Sequence, residues 1–290
     1  NNALPSICPL EHIREMLQDM LAYVTRCANE CGDVALMRFG PRKVYLLSHP
    51  EHIEQVLVAR NRAYSKHYAF KFLRPLLGQG LLTSEGDHWL RQRRLMQPAF
   101  AREALARYAA VMVDYAEEMV AGWGNVEERD IEREVTDLTL RIAAKTLMDI
   151  DLGEQLGIVA HGTDAMTDDF RRRFQSIAAV PNWLPTPNNL RSNRALRELD
   201  VVIENIIAQR RKTDVDRGDL LSMLMQARDK DDGRGMSDKQ LRDEVMTLLL
   251  AGHETTANAL SWTWYLLAQH PQVETKLIAE LEQVLGGRSP

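Results

Sequence analysis

The sequence predicts a mainly α-helical fold with a small β-sheet near the N-terminus. Beyond Asp87 apolar residues recur almost everywhere at i, i+3, i+4 spacing. The only strand-like runs are short and lie before residue 49. An apolar helical pattern then runs without a breaker from Ser237 to Pro271; about 33 residues at 1.5 Å each would span roughly 50 Å. No repeat and no linker stands out, so one domain is expected, with 1–63 as a helix-plus-sheet region and 64–290 as the helical region.

In order along the chain, Ile13, Leu17, Leu21 and Val24 place a helix over 11–29, and Cys31-Gly32-Asp33 supplies a stop and a turn. Strands are expected over 34–39 and 44–48, joined as a hairpin by Gly40-Pro41-Arg42-Lys43. Residues 50–60 read as a helix with Pro50 in its first turn, and 64–80 as irregular, rich in glycine, proline and aromatics. Helices follow over 87–95, 101–122, 131–148, 153–177, 191–211 and 220–227. Pro181, Pro185 and Pro187 make VPNWLPTPNN a loop. DKDDGRGMSD is a polar loop ending in Ser237, and Gln240 three residues on completes a capping-box signal for the long helix of about 238–270.

A net charge of -5 over 290 residues argues against a nucleic-acid partner, because phosphate binding leans on a basic excess. No run approaches the roughly 20 apolar residues of a membrane helix. The start, NNALPSICPLEH, lacks a signal pattern, so the chain reads as cytoplasmic. Cys8, Cys27 and Cys31 are an odd set confined to the first 31 residues, a poor disulfide framework. Cys27 and Cys31 could share a helix face as metal ligands, but no second pair or nearby histidine completes a zinc set.

The stretch AGHETTANALSW, residues 251–262, places a histidine, a glutamate and two threonines inside the long apolar helix. His253-Glu254 opens like the zinc-protease H-E-x-x-H, but the fifth position is Ala257. A patch merely facing solvent fits poorly, since TLLLAGHE and ANALSWTWYLLA are apolar around nearly the whole circumference. A third reading uses each residue. Leu248, Ala251, Thr255 and Ala259 share one face, with Gly252 thinning the wall beside them. Thr255 can bond back to the Ala251 carbonyl or release it for a small ligand. A flat cofactor against this face, with a diatomic ligand in the notch, would suit it, and Glu254 supplies a carboxylate for moving protons. Earlier, Trp89 and Arg93 lie four apart in GDHWLRQRRLMQPAF, so on a helix both can grip one carboxylate.

AGHETT resembles the oxygen-binding motif (A/G)-G-x-(D/E)-T-(T/S) on the long central helix of the cytochromes P450, the haem-thiolate monooxygenases, and every position matches. Trp89 and Arg93 are similar to the family's W-x-x-x-R, followed by PAF as is common there. LLGQGLLTSEGDHW, WLPTPNN and IIAQRRK also resemble bacterial-type members. The resemblance implies a haem b cofactor, O2 as co-substrate, and NAD(P)H electrons relayed by a ferredoxin or flavin reductase to a monooxygenase acting on a lipophilic substrate. Thr255 would position the proton donor and Glu254 feed the relay; Ala251 and Gly252 would line the oxygen pocket. Trp89 and Arg93 would hold a propionate, with His88 as an accessory contact. Arg91 and Arg94 would point away, toward solvent or an acidic electron-transfer partner. Phe70, Phe72 and Leu248 are substrate-contact candidates, as are Phe170 and Phe174, though packing explains an aromatic equally well. The resemblance covers the first two-thirds of a family member, which places the axial cysteine and its E-x-x-R helix beyond Pro290. None of the three cysteines lies in a ligand loop. A truncated, non-catalytic remnant that binds a lipophile or a partner is the alternative expectation.

Overall fold

The computed structural model describes residues 6–7, 13–39, 42–124, 128–175, 184–213 and 215–288. The chain divides into two compact units, residues 1–66 and 67–290.

In the first unit β1 (Ser6–Ile7) runs parallel to β2 (Val34–Phe39), with Ser6 opposite Leu36. β3 (Arg42–Leu47) pairs antiparallel to β2 from Val34↔Leu47 to Phe39↔Arg42. That register puts Arg42 and Lys43 inside the strand instead of in the turn; Gly40 and Pro41 lie outside the described residues. The single helix expected over 11–29 is two, α1 (Ile13–Gln18) and α2 (Met20–Cys31). Asp19 divides them: it is extended, and its carboxylate accepts the Ala22 N–H at 2.9 Å as the N-cap of α2. The buried face of α2 therefore carries Tyr23 and Cys27, packed with Met37, while Leu21 is 78% exposed. α3 (Pro50–Glu54) starts with Pro50 in its first turn and passes into a π-helical turn, Gln55–Ala59.

The second unit is helical. A 3-10 turn (Tyr68–Leu73) leads into α4 (Arg74–Leu77), so the segment read as irregular is short-range helix. Then come α5 (Gly86–Met96), α6 (Arg102–Ala121), α7 (Ile131–Met148), α8 (Leu156–Gln175), α9 (Pro187–Thr213), α10 (Leu220–Gln226), α11 (Asp238–Gln269) and α12 (Pro271–Leu285). The expected start of α9 at residue 191 is one turn late. The Thr186 hydroxyl accepts the Asn189 N–H at 3.2 Å, and Pro187, with no N–H to lose, fits the first turn. α12 is an element the sequence reading did not anticipate.

Side-chain acceptors start three more of these helices: Asp130 for α7, Asp219 for α10, and the Ser237–Gln240 capping box for α11. α11 packs mainly on α7 and also on α9, α8 packs on α9, and α6 on α7. Leu140, Ala144, Leu199, Ile203, Leu221, Leu224, Leu241, Val245 and Leu249 form the shared core. Burial along α11 is uneven. Its N-terminal half is core, the last buried residue is Ala257, and Trp262, Trp264, Tyr265 and Leu266 are exposed.

Candidate active site

The i, i+4 spacing on α5 does bring Trp89 and Arg93 together. The Arg93 guanidinium carbon lies 5.2 Å from the Trp89 ring centroid, a cation–π stack that holds the cation over one face of the helix. Arg93 is exposed and makes no ion pair with a described residue, so its charge is available to an anion. A second arginine on the same helix turns elsewhere. Arg91, expected to face solvent or a partner, lies with Nε 3.3 Å from Asp229 Oδ2 and donates to the Arg234 carbonyl at 3.1 Å. Arg94 pairs with Asp231 at 3.3 Å. Arg91 and Arg94 thus pair with the chain's own acidic loop, Arg91 with a buried carboxylate and Arg94 while remaining 58% exposed. His88 sits about 100° around the helix from Trp89. Its Nε2 lies 3.3 Å from the Gln79 carbonyl oxygen and 3.4 Å from Gln92 Nε2, contacts within the protein.

α11 is continuous α-helix through residues 251–256, and of the two states open to Thr255 it shows the one bonded back to the helix. Thr255 Oγ1 donates to the Ala251 carbonyl at 2.6 Å and Thr256 Oγ1 to the Gly252 carbonyl at 2.9 Å. Ala251, Gly252 and Thr255 are all exposed. A Cβ built on Gly252 would meet nothing within 4 Å. The result is an open ledge of small side chains carrying one hydroxyl, with Leu248 half-buried against the core one turn earlier. Such a ledge leaves room for a flat macrocycle, and a free arginine stacked on an indole matches a propionate; on both counts the residues present fit a haem group.

Beside the ledge the helix presents a different surface to α8. Thr167 Oγ1 donates to Glu254 Oε2 at 2.7 Å. His253 is 3% exposed, and its Nδ1 makes no hydrogen bond of acceptable geometry. Burial pushes its pKa below the ordinary 6.5, against the pull of Glu254, Asp164 and the Leu249 carbonyl. Asp164, on α8, is pushed above the usual carboxylate value, again chiefly by burial. Thr167 and Asp164 escaped the sequence reading; the only signal available was polar residues at 164 and 167 in an amphipathic helix.

Among the other candidates, Phe70 and Phe170 are half-buried and pack against the main core. The side chains of Phe72 and Phe174 lie outside the described residues. Cys27 is buried, and Cys31 is half-buried with its thiol pushed up by burial and by Cys27; Cys8 lies outside the described residues. Among the described residues no three His, Cys, Asp or Glu side chains are grouped to hold a metal ion, and no helix is long and apolar enough to cross a membrane.

The family model described as Cytochrome P450 matches residues 2–290. The chain is 40% identical over 262 residues to a cyclooctatin synthase of Streptomyces melanosporofaciens, covering 89% of this chain and 57% of that one. It is 36% identical over 260 residues to a cyclooctat-9-en-7-ol 5-monooxygenase of the same organism, covering 89% and 56%. A pentalenene oxygenase of Streptomyces avermitilis is 35% identical over 282 residues, covering 96% and 62%. The chain thus spans somewhat over half the length of these curated relatives.

Proposed function

Because this chain belongs to the cytochrome P450 family, we propose that it supplies the oxygen-side wall and one carboxylate clamp of a haem-dependent monooxygenase. The substrate we assign is a lipophile of the cyclic terpenoid class, the class that the names of the similar monooxygenases and oxygenases indicate. The observation that carries the reading is the open ledge of Ala251 and Gly252 with the Thr255 hydroxyl at its edge and Glu254 behind it.

Haem, when bound, supplies the activation of O2, with electrons passed from NAD(P)H by a ferredoxin or flavin reductase. The residues of this chain bind, orient and move protons around it. Trp89 and Arg93 hold a propionate by a charge-assisted contact from a guanidinium that the indole face keeps in place. Ala251 and Gly252 leave space. The Thr255 hydroxyl spends its proton on the Ala251 carbonyl, so its oxygen lone pairs are what it first offers to a water or ligand. Rotation out of that bond turns it into a donor. Glu254, held by Thr167, is the acid from which the proton is replenished. Leu248, Phe70 and Phe72 are assigned to the substrate side; support for Leu248 is its place one turn before the ledge.

The deciding experiment is turnover under 18O2 by the haem-loaded protein at its native length, with cyclic terpene alcohols and hydrocarbons as probes. One labelled oxygen atom in the product and one in water is the expected result. Product oxygen drawn from water would overturn the reading.

A further inference from the structure

Two carboxylates are buried in the N-terminal half of α11, where an apolar helix has no use for charge. Asp243 is 3% exposed and Glu244 0%. Both accept backbone N–H groups from the turn that precedes α5. Gln79 N–H donates to Asp243 Oδ2 at 2.8 Å, and Leu81 N–H to Glu244 Oε2 at 2.9 Å. Arg242 and Lys239 also reach Asp243, at 3.0 and 3.4 Å. A buried carboxylate is costly unless it is hydrogen-bonded, and here a backbone N–H reaches one oxygen of each. Two glycines allow the approach. At Gly78, with φ +53, a Cβ would lie 2.1 Å from the Asp243 carboxylate; at Gly80 it would lie 2.2 Å from Thr247 Oγ1 and 2.6 Å from the Asp243 carbonyl oxygen.

The same turn is tied to α5. His88 Nε2 lies 3.3 Å from the Gln79 carbonyl and, as the protonated ring nitrogen, donates to it, which leaves the buried Gln92 amide, 3.4 Å from the same atom, as a packing neighbour and not a second hydrogen bond. Gln79 therefore gives its N–H to α11 and its carbonyl to α5. One path, Asp243 to Gln79 to His88, connects the helix of the ledge to the helix of the clamp, and Trp89 is the next residue. Core filling alone would need none of these polar atoms, whereas directional hydrogen bonds between distant segments favour one arrangement of them.

We propose that Asp243, with Glu244 beside it, is a positioning residue for the Trp89–Arg93 clamp, acting through Gln79 and His88. The inference rests on reading Trp89 and Arg93 as a propionate clamp. His88 is then an anchor between the turn and α5, not itself a cofactor contact.

The test uses the haem-loaded protein at its native length and two readouts besides activity. These are the propionate bending bands in the resonance Raman spectrum and the rate of haem release to an excess apoglobin. Arg93→Ala should shift the bands. Asp243→Ala and His88→Leu should shift the same bands and release haem roughly five-fold faster, the effect of about one net hydrogen bond. His88→Gln, whose amide can donate to the Gln79 carbonyl, should restore both. Bands that move in Arg93→Ala but stay in place in Asp243→Ala and His88→Leu overturn the proposal and leave the clamp standing. Bands unmoved by Arg93→Ala overturn the clamp itself, and the proposal with it. If Asp243→Ala does not fold, His88→Leu, at a half-buried site, decides alone.

Discussion

Thr167 on α8 and Glu254 on α11, 87 residues apart in sequence, are joined by a 2.7 Å hydrogen bond from the hydroxyl to the carboxylate. It sets which way Glu254 points, because a side chain with three rotatable bonds is otherwise free to turn to solvent. Thr167→Val, which keeps the shape and removes the donor, should lower the fraction of reductant recovered as product about three- to ten-fold while leaving KM unchanged. Thr167→Ser should recover it. Equal coupling in all three proteins would show that Glu254 is oriented by something else.

Thr255→Ala should separate reductant consumption from product, with hydrogen peroxide accounting for the difference, since the ledge loses the one hydroxyl that can relay a proton. Stability should stay within about 0.5 kcal/mol, because the site is an exposed helix position and alanine is the better helix former. Peroxide yield is the measurement, and a wild-type yield removes Thr255 from the relay.

The two arginines of α5 should part company. Arg93→Ala should lose haem with little change in the unfolding midpoint, since Arg93 is exposed and makes no ion pair with a described residue, only its stack on Trp89. Arg91→Ala strips Asp229, 8% exposed, of its partner and should cost about 1–2 kcal/mol of stability while retaining haem. Haem occupancy and urea midpoints on the two variants decide this; matching losses of haem would mean the faces of α5 have been exchanged.

His253 should make stability depend on pH. Its folded pKa lies below the ordinary 6.5, so the unfolded chain takes up a proton that the folded one refuses. The stabilisation is complete above about 6.5 and is lost as pH falls toward the depressed folded value. Urea midpoints taken between about pH 7.5 and 5.5 should fall in the wild type and fall less in His253→Gln. Parallel slopes would mean that His253 takes up its proton equally in the folded and unfolded chain, so that burial does not depress its pKa.

Much of this was legible in sequence because periodicity and caps are local. The capping box at Ser237, the extent of α7, and the pairing of Trp89 with Arg93 all follow from spacing within a turn or two. What escaped depends on partners distant in the chain. Asp19 could be read as a helix residue until its carboxylate was seen capping α2. Arg91 could be read as solvated because Asp229 lies 138 positions later. Asp243, Glu244 and Thr167 were invisible for the same reason, and nothing nearby in sequence says which N–H or carboxylate each will meet. His88, expected as an accessory contact, points about 100° from Trp89 on the helix, and its 3.3 Å approach to the Gln79 carbonyl depends on a turn nine residues away that spacing alone does not bring to it.

The bond between Gln79 and Asp243 spans 164 residues, and that separation has a consequence for biosynthesis. At about 5–20 residues per second, the acceptors on α11 are made roughly 8 to 33 s after the turn whose N–H groups they will receive. During that interval α5 can coil and Arg93 can stack on Trp89, since both are local. The turn before them can close its own local bonds, but its Gln79 and Leu81 N–H groups still lack the carboxylates of α11. A porphyrin meeting the nascent chain then finds a cation without a wall, so cofactor capture belongs after translation of α11, however early the clamp helix forms.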